Sequence, residues 1–249
     1  MPDALVLDSV TVQFGGLRAV DAVSTRIEPG ERRAIIGPNG AGKTTLFNAM
    51  TGIVRPTSGS IRLGARDITR MAVHRRVRLG VSRTFQITNL FPRLTVMENM
   101  RLALRGLLAS RYALFAADRL DAVQQRRAAG ALDQVRLSGR AGTLVADLSY
   151  GEQRQLELAM SLVTDPAVLL LDEPAAGLSP AERGIVTDIV RSLPRSLTVV
   201  LIEHDMDLVM NLVDRITCLE NGRLLVEGDP EAVRADARVQ AVYLGTAHA

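Results

Sequence analysis

An α/β fold with a mostly parallel sheet covered on both faces is predicted by three features of this 249-residue sequence. Short apolar runs alternate with stretches of helical periodicity, the pattern of strands joined by crossover helices. A glycine-rich loop lies between one apolar run and the helix after it. A stretch rich in alanine, leucine and arginine, from Leu94 to about Leu144, interrupts the alternation with 3.6-residue periodicity. It reads as an inserted helical lobe in a single domain spanning 1–249.

The elements follow in order. Leu5–Phe14 alternates over part of its length and reads as a strand. "AVSTRI" and "RRAIIG" are two more, separated by the turn Glu28-Pro29-Gly30. "TTLFNAMTG" is a helix closing at Gly52, and "RPTSGSIRLG" a turn with a short strand. "RMAVHRRVRLGVSRTFQ" begins as a basic helix with Met71, Val73, Val77 and Leu79 on its inner side. Gly139 and Gly142 loosen the exit from the helical lobe, and "SYGEQRQLELAMSLV" resumes a helix. "AVLLLDEP" is a buried strand, followed by a helix over Pro180–Leu193, the strand "LTVVLIEH", a helix through "MDLVMNLV" and the strand "RITCLE". Asp229–Ala249 reads as one or two short helices.

Composition narrows the function classes. Basic residues (30) barely exceed acidic ones (27), so no strong overall field marks a nucleic-acid binder. Aromatics at 3% with no tryptophan argue against a base-stacking platform. The run Arg70–Arg83, with Arg70, Arg75, Arg76, Arg78 and Arg83, is expected to be a solvated face rather than a nucleic-acid contact. No apolar run approaches the ~18–20 residues that span a bilayer, and the N-terminus lacks a signal-peptide pattern, so a cytoplasmic protein is expected. The single cysteine, Cys218, forms no internal disulfide and is expected to be a small buried hydrophobe. Met206 and Met210, at helical spacing, are expected to pack in the core.

"GPNGAGKTT", Gly37-Pro38-Asn39-Gly40-Ala41-Gly42-Lys43-Thr44-Thr45, carries the chain's only lysine; every other basic side chain is arginine. Glycines let backbone N–H groups converge on an anion, and the helix start adds its positive dipole end. The compact Lys43 ammonium reaches between phosphates where a planar guanidinium would crowd the cradle. Thr44 offers a hydroxyl to Mg²⁺. The strand "VLLLD" ends in Asp172, which places a carboxylate at the carboxyl end of the sheet for the metal, and Glu173 follows as a base for an attacking water. "LSYGEQRQLELA" sets Ser149 and Gly151 before an amphipathic helix, either an ordinary N-cap or a second anion-binding helix start.

With these residues in view, the chain resembles the nucleotide-binding subunits of ATP-binding cassette transporters through nearly its whole length. "GPNGAGKTT" looks like Walker A, "TFQ" like the Q-loop at Gln86, "LSYGEQ" like the signature, "LLLDEP" like Walker B, "AGLS" like the D-loop and "LIEHD" like the switch at His204. The resemblance implies a P-loop NTPase (RecA-like) core over 1–87 and 150–220 with an N-terminal antiparallel β-subdomain. It also implies an inserted α-helical subdomain over 88–149 and a strand and helical tail over 221–249. It implies Phe14 stacked on adenine, Gln86 and His204 sensing the γ-phosphate, Gln86 joining Thr44 and Asp172 at Mg²⁺, and Ser149, Gly151 and Glu152 serving the nucleotide of a facing cassette.

"GVSRTFQITNLFPRLTVMENM" and "LIEHDMDLVMNLVDRITCLENGRLLVEGDPEAV" resemble more closely the branched-chain (hydrophobic) amino-acid importers, and the "RTFQ…LF" stretch their larger ATPase. That branch implies ATP and Mg²⁺ as ligands and a second ATPase subunit, in a heterodimer or a homodimer. Two permeases, a solute-binding protein reached indirectly, and a place on the cytoplasmic membrane face are implied as well. Urea, amides or aromatic acids are alternative cargoes. Tyr150 departs from a signature glycine, Glu152 from a glutamine and Ser179 from a D-loop aspartate. A soluble cassette ATPase acting on DNA or ribosomes is the rival reading. It lacks support because this chain has neither a long coiled-coil insertion nor a second cassette.

Overall fold

The structure, a computed structural model, describes residues 3–84, 90–106 and 122–245. Its elements are β1 (Leu5–Phe14), β2 (Leu17–Ile27), β3 (Arg32–Ile36), α1 (Lys43–Thr51), β4 (Ser58–Leu63), β5 (Arg66–Asp67), α2 (Val73–Arg78) and β6 (Val81–Arg83). There follow α3 (Val96–Arg105), α4 (Ala122–Gln134), α5 (Tyr150–Leu162), β7 (Val168–Asp172), α6 (Pro180–Ser192) and β8 (Thr198–Ile202). The chain continues through α7 (Met206–Leu212), β9 (Arg215–Glu220), β10 (Arg223–Gly228), α8 (Pro230–Ala235) and α9 (Ala237–Gly245).

Successive side chains of a strand point to opposite faces, and the central strands here divide their residues between two cores. Ala34, Ile36, Leu169, Leu171, Val199 and Leu201 face a core shared with α3 to α7. Ile35, Val168, Leu170, Val200 and Ile202 face a second core closed by α1 and the N-terminal strands. At ~1.5–3 kcal/mol for each fully buried aliphatic side chain, these short strands are held mainly by burial on both faces.

The six-stranded sheet has the order β10-β9-β3-β8-β7-β6, parallel except for β10 at one edge. A four-stranded antiparallel sheet, β2-β1-β4-β5, covers its α1 side. The predicted α/β class and N-terminal antiparallel sheet are both present. Arg33, 1% exposed, ties the two sheets together: it donates to Thr25 of β2 at 3.2 Å and Thr217 of β9 at 2.9 Å, and pairs with Glu227 of β10 at 2.6 Å.

The second half of the 70–86 stretch, to which the sequence reading assigns no element, contains β6, a short parallel edge strand beside β7 and not a helix. One expectation needs correction. The basic run is not uniformly solvated: Arg75 and Arg78 are exposed, but Arg76 is 1% exposed and is the buried residue of α2, while Met71, Val73, Val77 and Leu79 are only partly covered. The Arg76 guanidinium donates to Ala49 O and Met50 O, both at 2.7 Å, and to Met71 O and Thr69 O, both at 3.0 Å. It closes the last turn of α1, where the helix dipole favours a cation. Burial lowers its pKa to about 10, so it stays charged at neutral pH.

α3 and α4 pack against α5, which also contacts α6 and β6. The part of the helical reading that falls on 107–121 lies outside the described residues. Cys218 is fully buried, and burial pushes its thiol up to about 11, as expected of an unreactive hydrophobe. Met206 and Met210 pack against the helical core.

Candidate functional site

Strand register brings the site together. Ile35 of β3 pairs with Ile202 of β8, and Ile202 pairs with Asp172 of β7. The loop after β3, the Asp172–Glu173 pair and the Glu203–His204 pair therefore emerge side by side at the carboxyl edge, where open α/β sheets bind ligands.

The loop from Gly37 to Gly42 turns tightly because its glycines have no side chain. Gly37 has φ 148°, and a Cβ there would lie 2.2 Å from Leu219 O; Gly42, at φ 96°, would place one 2.3 Å from Ala19 O. Both contacts are with backbone, so neither position accepts another residue without moving the loop. Gly42 is the N-cap of α1, with no side-chain cap and no acidic residue in the first turn. The first N–H groups of α1 thus lack the side-chain acceptor that usually closes a helix start.

Lys43 Nζ donates to Gly37 O at 2.7 Å and Pro38 O at 2.9 Å, folded back over the loop. Burial lowers its pKa, opposed by the charge of Glu173 and then by that of Asp172, which locates the ammonium in the field of both carboxylates. Ala41 packs inward, Asn39, Gly40 and Thr44 are exposed, and Thr45 is half-buried. Phe14 ends β1 with 51% of its surface exposed, leaving the ring available for stacking.

Asp172 is buried at the end of β7 and pairs with Arg83 Nη2 at 2.5 Å. Glu173 follows with φ 47°, a left-handed conformation costing ~1–3 kcal/mol in a residue with a side chain. Its N–H donates to Ile202 O at 3.0 Å. His204 is solvent-facing, with Nδ1 3.8 Å from Glu173 Oε1, too long for a hydrogen bond. Gln86 lies outside the described residues.

At the second helix start the N-cap of the sequence-based reading is present. Ser149 caps α5 and accepts from Glu152 N–H at 3.2 Å, while Glu152 Oε2 accepts from Ser149 N–H at 2.9 Å. Glu152 also pairs with Arg140 at 2.9 Å. The N–H of Gly151 donates to Glu182 Oε1 of α6 at 3.2 Å, and a Cβ on Gly151 would meet that oxygen at 2.6 Å. The Ser149–Glu152 start is therefore closed by carboxylates of the chain itself. The surface depression it lines is shared with Arg140, Gln155, Glu182 and Ile185, and no phosphate-loop residue lines it. Tyr150 turns back instead of pointing with Ser149: its hydroxyl accepts from Arg154 Nη2 at 2.7 Å.

Two further carboxylates were not singled out from the sequence. Glu182 reads locally as part of the Ser179 capping box, which the structure also contains; only the packing of α6 on α5 shows its reach to Gly151. Glu203, 2% exposed, has its pKa raised by burial and accepts from Ala175 N–H at 3.4 Å and His204 N–H at 3.3 Å. Its place beside "HD" at a strand end was the available signal.

The donor set suits a polyphosphate with a hard divalent cation. An uncapped helix start and an ammonium meet the anion, and the Thr44 hydroxyl and Asp172 carboxylate supply oxygen ligands of the kind Mg²⁺ takes.

The sequence profile of the ABC transporter family matches residues 20–176, and that of the branched-chain amino acid ATP-binding cassette transporters matches residues 223–249. The chain is 40% identical to the high-affinity branched-chain amino acid transport ATP-binding protein BraF of Pseudomonas aeruginosa, with 98% of each chain covered. It is equally similar, 40% over 98% of each chain, to LivG of Escherichia coli (strain K12), which carries the same description. Among solved structures, the ADP conformation of MJ1267, an ATP-binding cassette of an ABC transporter, superposes with a TM-score of 0.87 at 28% identity, covering 98% of this chain and 100% of that one. A nucleotide-free cassette from an ABC transporter gives 0.85 at 28% identity, covering 98% and 99%. With an open phosphate loop at the carboxyl edge of its parallel sheet, this chain belongs to the ABC transporter family, in its branched-chain amino-acid ATP-binding cassette branch.

Proposed function

We propose that the chain is the ATP-hydrolysing subunit of a membrane importer for branched-chain or other hydrophobic amino acids. The observation that carries this reading is the uncapped start of α1, with Lys43 in the field of Asp172 and Glu173. It is joined by 40% identity across 98% of the chain to proteins described as branched-chain amino acid transport ATP-binding proteins. Among the described residues no helix is long and apolar enough to cross a membrane; in this reading separate permease subunits carry the solute and the chain sits against them at the cytoplasmic face.

In this reading residues 37–45 hold the phosphates of ATP and Phe14 stacks on its base. Lys43 exchanges the carbonyls of Gly37 and Pro38 for phosphate oxygens. Thr44, Asp172 and Gln86 would hold Mg²⁺, which would supply positive charge against the developing negative charge of the phosphates. Glu173 accepts a proton from the water that attacks the γ-phosphorus. The bond to the bridging oxygen breaks, and ADP and phosphate leave. His204 contacts the γ-phosphate, and Ser149, Gly151 and Glu152 close over the nucleotide of a second cassette, a sister ATPase or a second copy. Residues 1–87 and 150–220 form the ATP-binding core, 88–149 the helical subdomain and 221–249 the tail.

The test is uptake of labelled leucine by liposomes holding the assembled transporter, with and without Glu173→Gln. ATP-dependent accumulation that the substitution abolishes supports the reading. ATP hydrolysis without accumulation of leucine, isoleucine or valine would remove the cargo assignment, and absence of hydrolysis would remove the enzyme.

A further inference from the structure

We infer that Arg83 is the built-in counter-cation of Asp172 and competes with a metal ion for that carboxylate. Arg83 is the last residue of β6, with its side chain 9% exposed beside an Asp172 side chain only 1% exposed. One arm, Nη2, holds Asp172 Oδ2 at 2.5 Å, and the other, Nη1, donates to Asn48 Oδ1 of α1 at 2.5 Å. The guanidinium carbon lies 5.9 Å from the centre of the Phe47 ring, also on α1. A single planar fork thus joins β7, which ends in Asp172, to α1, which begins with Lys43 and Thr44. Lysine has no such fork and cannot make both contacts in one plane.

A carboxylate this deeply buried is strongly unfavourable without a partner. Arg83 supplies that partner whenever no divalent cation does, and its second contact, to Asn48, fixes the pair between β7 and α1. The same positive charge opposes a second cation at that carboxylate, so Arg83 and Mg²⁺ share Asp172 at each other's expense. This rests on the reading of Asp172 as a metal ligand, and the test separates the two.

The test measures thermal unfolding of the full chain without nucleotide and Mg²⁺ titrations at saturating ADP, for Arg83→Met, Arg83→Lys, Asp172→Asn and the Arg83→Met/Asp172→Asn double variant. Arg83→Met is expected to lower Tm by about 10 °C, and the double variant to recover most of that loss, because the neutral side chain needs no counter-charge. The Mg²⁺ concentration for half-saturation falls about tenfold in Arg83→Met and stays within about twofold of wild type in Arg83→Lys. If Arg83→Met does not fold, folding of the double variant is itself the supporting result.

Additive losses in the double variant, failure of both to fold, or an unchanged or raised Mg²⁺ requirement in Arg83→Met would overturn the inference. Asp172→Asn with unaltered Mg²⁺ dependence would instead overturn the metal assignment, leaving the charge pairing to be judged by the Tm values.

Discussion

The starts of α1 and α5 are two helix N-termini built for opposite conditions. α1 begins after glycine, with no side-chain cap, no acidic first turn and an ammonium beside it. α5 begins with a complete Ser149–Glu152 capping box, and Glu182 from α6 takes the Gly151 N–H as well. An uncapped start in a folded protein leaves donors for a ligand; a capped start is satisfied by itself. The first region is thus prepared for phosphate in the isolated chain. The second is occupied by the chain's own carboxylates; under the proposed function it would exchange those contacts for another molecule's phosphate on assembly.

The largest effect falls on the α1 side. Glu173→Gln is expected to slow hydrolysis ~10²–10⁴-fold with ATP affinity retained; single-turnover and equilibrium binding measurements read the two separately. The same glycine substitution then contrasts the helix starts. Gly42→Ala forces a Cβ against Ala19 O at φ 96°, and should lower Tm by roughly 5–10 °C and abolish ATP binding. Gly151→Ala meets only the flexible end of Glu182 and should change Tm by less than about 3 °C, read in the same calorimeter. Equal losses would erase the distinction.

Smaller shifts sharpen it. Glu182→Gln keeps a residue suited to the Ser179 capping box and removes the charge over Gly151. ATP-dependent association with a second cassette should tighten about threefold at low salt by sedimentation, and weaker association would contradict the displacement. Glu182 is also held below its ordinary value by hydrogen bonds, that from Ser179 foremost. Its contribution to stability is therefore complete above the ordinary value of 4.5 and is lost as pH falls through the depressed folded value. In Glu182→Gln this acid-side loss should shrink, as unfolding followed below pH 4.5 would show.

Much of this architecture was legible in the chain. The runs in β3, β7 and β8 are short and nearly continuous in apolar character because both faces are buried, and "GPNGAGKTT" and "LLLDEP" carry their chemistry in residue order. What escaped depends on packing between distant segments. Arg76 and Arg83 sit in a run of arginines whose other members face water, and nothing local marks these two as buried. β6 is three residues long, too short for periodicity. The N-cap at Ser149 was legible in its own segment, but the carboxylate on the Gly151 N–H comes from Glu182, 31 residues along the chain.

The most direct measurement is ATP affinity of the isolated, monomeric chain by calorimetric titration, comparing Lys43→Ala with Ser149→Arg. The account predicts a loss of about 100-fold or more for Lys43→Ala, whose charge meets the phosphates. For Ser149→Arg, which alters a start turned to another molecule, it predicts affinity within about twofold of wild type. A comparable loss in both variants would contradict it, placing the two helix starts around the same nucleotide within one chain.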